Sequence, residues 1–318
     1  MRASVVGATR EWAVIVDNKA GTHAATTAWS PIVIVCLGAT WFIWGTMFLA
    51  IKWALVSFPP FYQMGTQFLA AGVVLASVAR LRGAAWPDAR QWAGGALLGC
   101  LLLGAGYGFT ALAETSVSSG LVVAFTAIVP AMIVLAELPY GVRPASRQLI
   151  GVGIGLVGIV MMTQGQGFSA SLPGLLAISA ACVGWVLGSV WAVHGLPGGV
   201  RLRIAAGFMG HASQMLTGGA MLLIAAWLLG ESPAWPPQPV ALASWAYVAF
   251  AGSLISYTAY MLLLERTSPS IAVSYTYVNP VVALLLGVTL GGELVTRFEW
   301  LSVGIVLAGV VLLMWRRA

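Results

Sequence analysis

SSGLVVAFTAIVPAMIVLAEL, residues 118–138, is twenty-one residues long and holds one charged side chain, Glu137, close to its end. As a helix rising about 1.5 Å per residue it reaches ~30 Å, the thickness of a bilayer's hydrocarbon core. Read outward from it, the chain repeats the pattern at 31–52, 60–81, 91–113, 147–164, 172–194, 203–229, 241–264, 270–290 and 298–315. The breaks between these runs carry turn residues or charge, as at Phe58-Pro59-Pro60 and Gly195-Leu196-Pro197-Gly198-Gly199. The reading is an all-α membrane protein with ten transmembrane helices.

Composition agrees. The 318 residues are 60% hydrophobic and 8% charged, against about 25% charged in soluble proteins. The net charge of +6 comes from basic residues scattered singly or in pairs, with no basic cluster interleaved with aromatics, so nucleic acid is not expected as a partner. Orientation follows from the loops. With a cytoplasmic N-terminus, thirteen of the 15 Lys and Arg fall on the inside, and only Lys52 and Arg297 on the outside. Both termini are therefore expected on the cytoplasmic side. Residues 1–30 read as a disordered cytoplasmic tail, because Asp17-Asn18-Lys19 cuts short the apolar stretch a signal peptide needs. Cys36, Cys100 and Cys182 each lie inside an apolar run and read as packing residues rather than a disulfide framework.

The chain also resembles itself. Ser119, Ala124-Phe125 and Val129-Pro130 align with Pro269, Ser274-Tyr275 and Asn279-Pro280 at an offset of 150. Gly153 and Gly158 match Gly304 and Gly309 at 151, Gln67 matches Gln214 at 147, and Phe42 matches Trp185 at 143. Five spans per half is an odd number, so the second half enters the membrane inverted. Inverted repeats around a central cavity are a recurrent plan of secondary transporters, since two halves exchanging conformations open the cavity to alternate sides. The units are 31–165 and 172–316.

The residues also carry a family likeness. Trp44-Gly45-Thr46-Met47-Phe48-Leu49-Ala50-Ile51-Lys52, Phe58-Pro59-Pro60-Phe61 and Phe68-Leu69-Ala70-Ala71-Gly72 resemble the first EamA repeat of the drug/metabolite transporter superfamily. Tyr275-Thr276-Tyr277-Val278-Asn279-Pro280, with Gly291-Gly292-Glu293 and Glu299-Trp300-Leu301, resembles the end of the second. Within the superfamily the likeness is to YedA-type exporters. It implies a ten-helix bundle of two inverted five-helix repeats, an inner-membrane location and alternating access. Two positions depart from the pattern: Gln67 stands where many relatives have Arg, and Tyr107 where an Asn is common between two glycines.

Polar and aromatic residues inside spans mark the candidate site, because in lipid they face protein or water. Ser253, Ser256, Tyr257 and Tyr260 form one stripe at helical spacing, and Tyr275 and Asn279 share a face of the ninth span. With Tyr107 and the mid-span Trp44 and Trp185 they are the candidate substrate cavity, or else the polar glue between helices. Pro130 and Pro280, at equivalent mid-span positions, are either hinges or static kinks. His211 is either a proton-coupling group or a neutral packed histidine. Glu137 and Glu265 are candidate gate residues at the inner rim.

No carboxylate sits mid-span, so exchange of protons on a buried glutamate is not supported. No Gly-rich loop ends in Gly-Lys-Ser/Thr, no His-Glu-x-x-His occurs, and the two aspartates, Asp17 and Asp88, lie outside the spans. An enzyme, a metal site and a cofactor are therefore not expected. The expected partners are the lipid bilayer and a small neutral, zwitterionic or cationic, partly aromatic substrate, exported by a monomer with no obligate protein partner.

Overall fold

The computed structural model describes residues 30–164, 171–266, 274–292 and 295–314. The expected tail, 1–30, falls almost wholly outside the described residues, as does the side chain of Glu265. The described chain is helical, and its one isolated bridge, Leu196 with Val200, closes a glycine-rich turn between two helices. Six rods are long and apolar enough to cross a membrane. They are α1 (Pro31–Ala54), α2 (Pro60–Leu81), α3 (Ala89–Glu114), α4 (Ser119–Tyr140), α6 (Leu172–His194) and α8 (Pro239–Tyr260, running on to Arg266). The remaining rods are α5 (Ser146–Gln164), α7 (Gly207–Leu228), α9 (Tyr275–Thr289) and α10 (Arg297–Met314). Outward positions such as Val35, Leu176 and Ile224 are exposed and apolar, the surface expected of a protein solvated by lipid.

Local chemistry sets the helix ends. Pro31, Pro60 and Pro239 open their helices, where a missing N–H loses no internal bond. Asp88 caps α3 in a capping box: its Oδ1 accepts from Gln91 N at 2.8 Å, while Gln91 Oε1 accepts from Asp88 N at 2.9 Å. The bond from Gln91 N, helped by the charges of Arg203 and Arg90, holds the Asp88 carboxyl below the usual carboxylate range. α7 starts at Gly207, later than the sequence pattern predicts, because residues 201–205 run without helical structure along the start of α3. Arg203 there lies 3.8 Å from Asp88.

Packing maps onto itself when the halves are exchanged. α1 packs on α8 and α9, and its equivalent α6 packs on α3 and α4. α2 lies along α7, and α5 along α10. Both of these self-paired contacts are built on glycine. A Cβ on Gly158 would meet Val306 N at 2.8 Å and Ser302 O at 3.0 Å; one on Gly309 would meet Gly155 N at 2.6 Å and Gly151 O at 2.7 Å. Exchanging the halves, by adding 151 on α5 and subtracting 151 on α10, converts the first set of positions into the second. The α2–α7 pair repeats the device, with Gly72 against Met215 and Leu216 and Gly219 against Gly65 and Leu69. A helix dimer across a pseudo-two-fold axis needs small residues there, since in lipid the attraction is close packing and not water exclusion.

Of the repeat glycines, Gly158 and Gly309 are in this contact, whereas Gly153 and Gly304 have open space around a built Cβ. Gly309→Ala is accordingly expected to lower the melting temperature of the detergent-purified protein, through an overpacking cost of about 1–3 kcal/mol. Gly304→Ala is the matched control, with no loss expected.

Candidate functional site

Three helices depart from the α form mid-rod. The turns widen to π geometry over Ala39–Ile43 in α1, Gly99–Tyr107 in α3 and Val248–Ser256 in α8. The last two occupy the same place in their repeats, 149 residues apart. A π turn interrupts the regular ladder and frequently marks a functional site. Here foreign donors meet the carbonyls of α1. Ser256 Oγ donates to Ala39 O at 3.3 Å. With its amide nitrogen turned toward the carbonyls, the orientation the surroundings require, Asn279 donates to Trp41 O at 2.8 Å and Tyr275 O at 3.2 Å. Trp41 Nε1 in turn donates to Ser274 Oγ at 2.9 Å, and Trp44 Nε1 to Gly252 O at 3.3 Å.

The equivalent prolines adopt different conformations. In α4 the helix stops at Thr126, turns through Ala127-Ile128 and restarts at Val129 with Pro130 in its first turn. In α9, Pro280 lies inside a continuous helix. Pro280 lines a cavity between the halves, and on α4 it is Thr126 and Val129, on either side of the break, that line it. Its walls come from α1, α3, α4, α6 and α9, and among them are Trp44, Tyr107, Trp185, Tyr275, Asn279 and Pro280.

The rings meet edge to face, the geometry that aligns the positive rim of one with the negative face of the next. Trp44 lies 4.8 Å from Tyr275 at 81° and 6.4 Å from Trp185 at 86°; Trp185 lies 5.7 Å from Tyr107 at 73°. Tyr260 backs this wall, 5.4 Å from Trp44 and 5.9 Å from Tyr275. No Asp, Glu, Lys, Arg or His lines the cavity among the described residues.

The other predicted residues lie elsewhere. Ser253, Ser256 and Tyr257 are buried against α2, α1 and α7 respectively and do not line the cavity. His211 is in α7 with its ring 5.7 Å from that of Tyr257, at 89°. Pro130 is buried at the α4 break, outside the cavity lining. Glu137, at the end of α4, lies 3.0 Å from His194 Nε2 at the end of α6. Tyr140 stacks on His194 at 4.8 Å and donates to Gly195 O at 2.8 Å. By the repeat offsets, the matching positions of the other half are Gly287 and Ile51, so this contact has no counterpart there.

Sequence reasoning missed several wall residues. Thr110 stands one turn from Gly106, and Cys182 one turn before Trp185, so helical spacing from the recognised residues would have found both. His194 as a partner of Glu137 had no local signal, since 57 residues separate them.

A membrane-crossing bundle whose two halves enclose a cavity at their junction defines the class of secondary carriers. Comparison supplies the family: a model of the EamA-like transporter family matches twice, over residues 29–164 and 172–315. The chain belongs to that family and is a membrane transporter.

It is 37% identical over 277 residues to a protein of Escherichia coli (strain K12) named "Uncharacterized inner membrane transporter YedA", covering 87% of this chain and 88% of the relative. It is 26% identical over 250 residues to Protein PecM of Dickeya dadantii (strain 3937), covering 77% and 80%. A solved crystal structure superposes over 89% of this chain and 97% of its own with a TM-score of 0.65 at 19% identity, which shows the shared fold.

Asn279→Leu keeps the side chain's bulk and removes both donors to α1 and α9. The expected result is a loss of about 1–3 kcal/mol, the penalty of stranding buried carbonyls, read as a lower melting temperature in detergent.

Proposed function

We propose that this chain is a secondary transporter of an inner membrane that exports small neutral, zwitterionic or cationic, partly aromatic molecules by alternating access. The observation that carries the reading is the ring-lined, uncharged cavity at the junction of two halves related by internal symmetry. Ring faces attract cations and stack on flat solutes. A wall without Lys or Arg gives a multiply charged anion nothing to replace its water.

The proposed topology is ten transmembrane helices in two inverted five-helix repeats, 31–165 and 172–316, with both termini cytoplasmic. The bias of Lys and Arg and the five rods per half support it. The inner-membrane location draws support from the name of the Escherichia coli relative. The export direction follows from the resemblance to exporters. Pro130 and Pro280 act as the hinges: equivalent segments held once broken and once continuous are what a symmetric exchange of states requires. Glu137 closes the inner rim through His194.

The test is flux in proteoliposomes of the purified protein, using labelled tryptophan and a lipophilic cation dye, with and without a pH gradient. Saturable movement of either probe is expected, and Trp185→Ala should cut it by about tenfold, the value of one lost aromatic anchor. A wild-type rate no higher than that of empty vesicles for both probes would sink this choice of substrate class.

A further inference from the structure

Away from the cavity, α2, α7 and α8 bury a second set of polar side chains. Gln63 and Gln67, one turn apart on α2, are fully buried. Neither amide atom of Gln63 has a hydrogen-bond partner, nor has the Oε1 of Gln67. On α7, His211 is 7% exposed and its Nδ1 has no partner. Buried amide and imidazole atoms that lack a protein partner are satisfied by internal water, because leaving them bare in a low-dielectric interior is unfavourable.

These groups form a line. Gln67 Nε2 lies 3.5 Å from Ser253 Oγ. One turn along α8 from Ser253, Tyr257 donates its hydroxyl to Gln214 Oε1 at 2.6 Å, and its ring abuts His211. α2 and α7 run antiparallel, with Gly65 against Leu223 and Gly72 against Met215. Gln63 and His211 therefore lie near opposite ends of the pair, about 20 Å apart along its axis, or roughly two thirds of the hydrocarbon thickness. At the Gln63 end stands the part-exposed carboxylate of Glu231, accepting from Tyr62 N at 2.8 Å and Phe61 N at 3.3 Å.

We infer that this seam is a hydrated proton route, separate from the substrate cavity, that loads and unloads His211. The step is a simple transfer: a water O–H bond breaks, an N–H bond forms on the unpartnered ring nitrogen, and the imidazolium returns the proton by the reverse path. The charged groups on the neighbouring elements are exposed or engaged elsewhere. From α8 it meets the Tyr257 ring, with Arg266 exposed at that helix's far end. From α2, Arg80 donates to Ala84 O and Arg82 lies 5.4 Å over the Phe208 ring. At the start of α3, Asp88 pairs with Arg203 and Arg90 is exposed. Among the described residues no carboxylate or guanidinium is paired with His211. In the proposed transporter this route supplies the coupling proton; the inference rests on that reading for its use, but its test needs no substrate.

Two measurements decide it. Hydrogen–deuterium exchange at histidine C2, read by mass spectrometry across a pH series in lipid nanodiscs, compares His211 with His23 and His194. The expected result is exchange at His211 with a sigmoidal dependence on pH, slowed about tenfold by Gln67→Leu, the factor a lost polar partner is worth. A wild-type His211 that stays unexchanged while the part-exposed His194 exchanges means a dry seam and overturns the proposal.

The second is acidification of pyranine-loaded proteoliposomes under a valinomycin-set potential. Wild type should exceed protein-free vesicles, and His211→Asn and Gln67→Leu should fall to their level, with the lipid-facing Phe42→Leu unchanged. Equal rates in wild type and protein-free vesicles, or in wild type and both seam variants, overturn it. Because no solute is transported, failure here is separate from failure to move tryptophan or the dye.

Discussion

A chain inside hydrocarbon must satisfy its own backbone, because lipid offers no hydrogen bonds. Regular helices meet this constraint rod by rod, and most of this molecule consists of them. The informative places are where the ladder is broken. Those breaks fall at the three π segments and at the turn before Pro130, and side chains from other helices cross over to the carbonyls of α1. The same constraint that forces helices elsewhere makes each irregularity a joint between the two halves.

Symmetry governs the rest. In the absence of a hydrophobic driving force between helices, the central pairs α2–α7 and α5–α10 hold by backbone approach over glycine. The α5–α10 contacts obey the repeat offset residue by residue, and in α2–α7 the contact of Gly72 with Leu216 maps onto that of Gly219 with Leu69. The halves also differ: one proline breaks its helix while its mate does not, α1 has π turns that α6 lacks, and Glu137–His194 has no twin. A symmetric frame with an asymmetric centre is what the proposed exchange of roles between the halves requires.

Polar chemistry is divided between two compartments. Trp44, Tyr107, Trp185 and Tyr275 wall the cavity, and Gln63, Gln67, Gln214 and His211 line the seam behind α8. Tyr257 and Tyr260, three residues apart, face these two places: one bonds Gln214 and the other backs Trp44. α8 therefore touches both places, backing the cavity's rings with Tyr260 and meeting the line of buried amides with Tyr257.

Membrane embedding, the doubled plan and the family were legible in the amino-acid order, because hydropathy is summed locally and a repeat is a comparison of the chain with itself. Helical spacing also grouped residues correctly onto common faces, as with Tyr275 and Asn279. What spacing could not say is which neighbour a face meets. The stripe Ser253, Ser256, Tyr257 and Tyr260 reads as one surface, yet the π turns over Val248–Ser256 and the packing of α1, α2 and α7 send its members to different surroundings. The partner of Glu137, the orphaned amides of Gln63 and the unequal fates of Pro130 and Pro280 were likewise decided only in the folded bundle. Each depends on contacts between segments 50 to 200 residues apart, which no local pattern encodes.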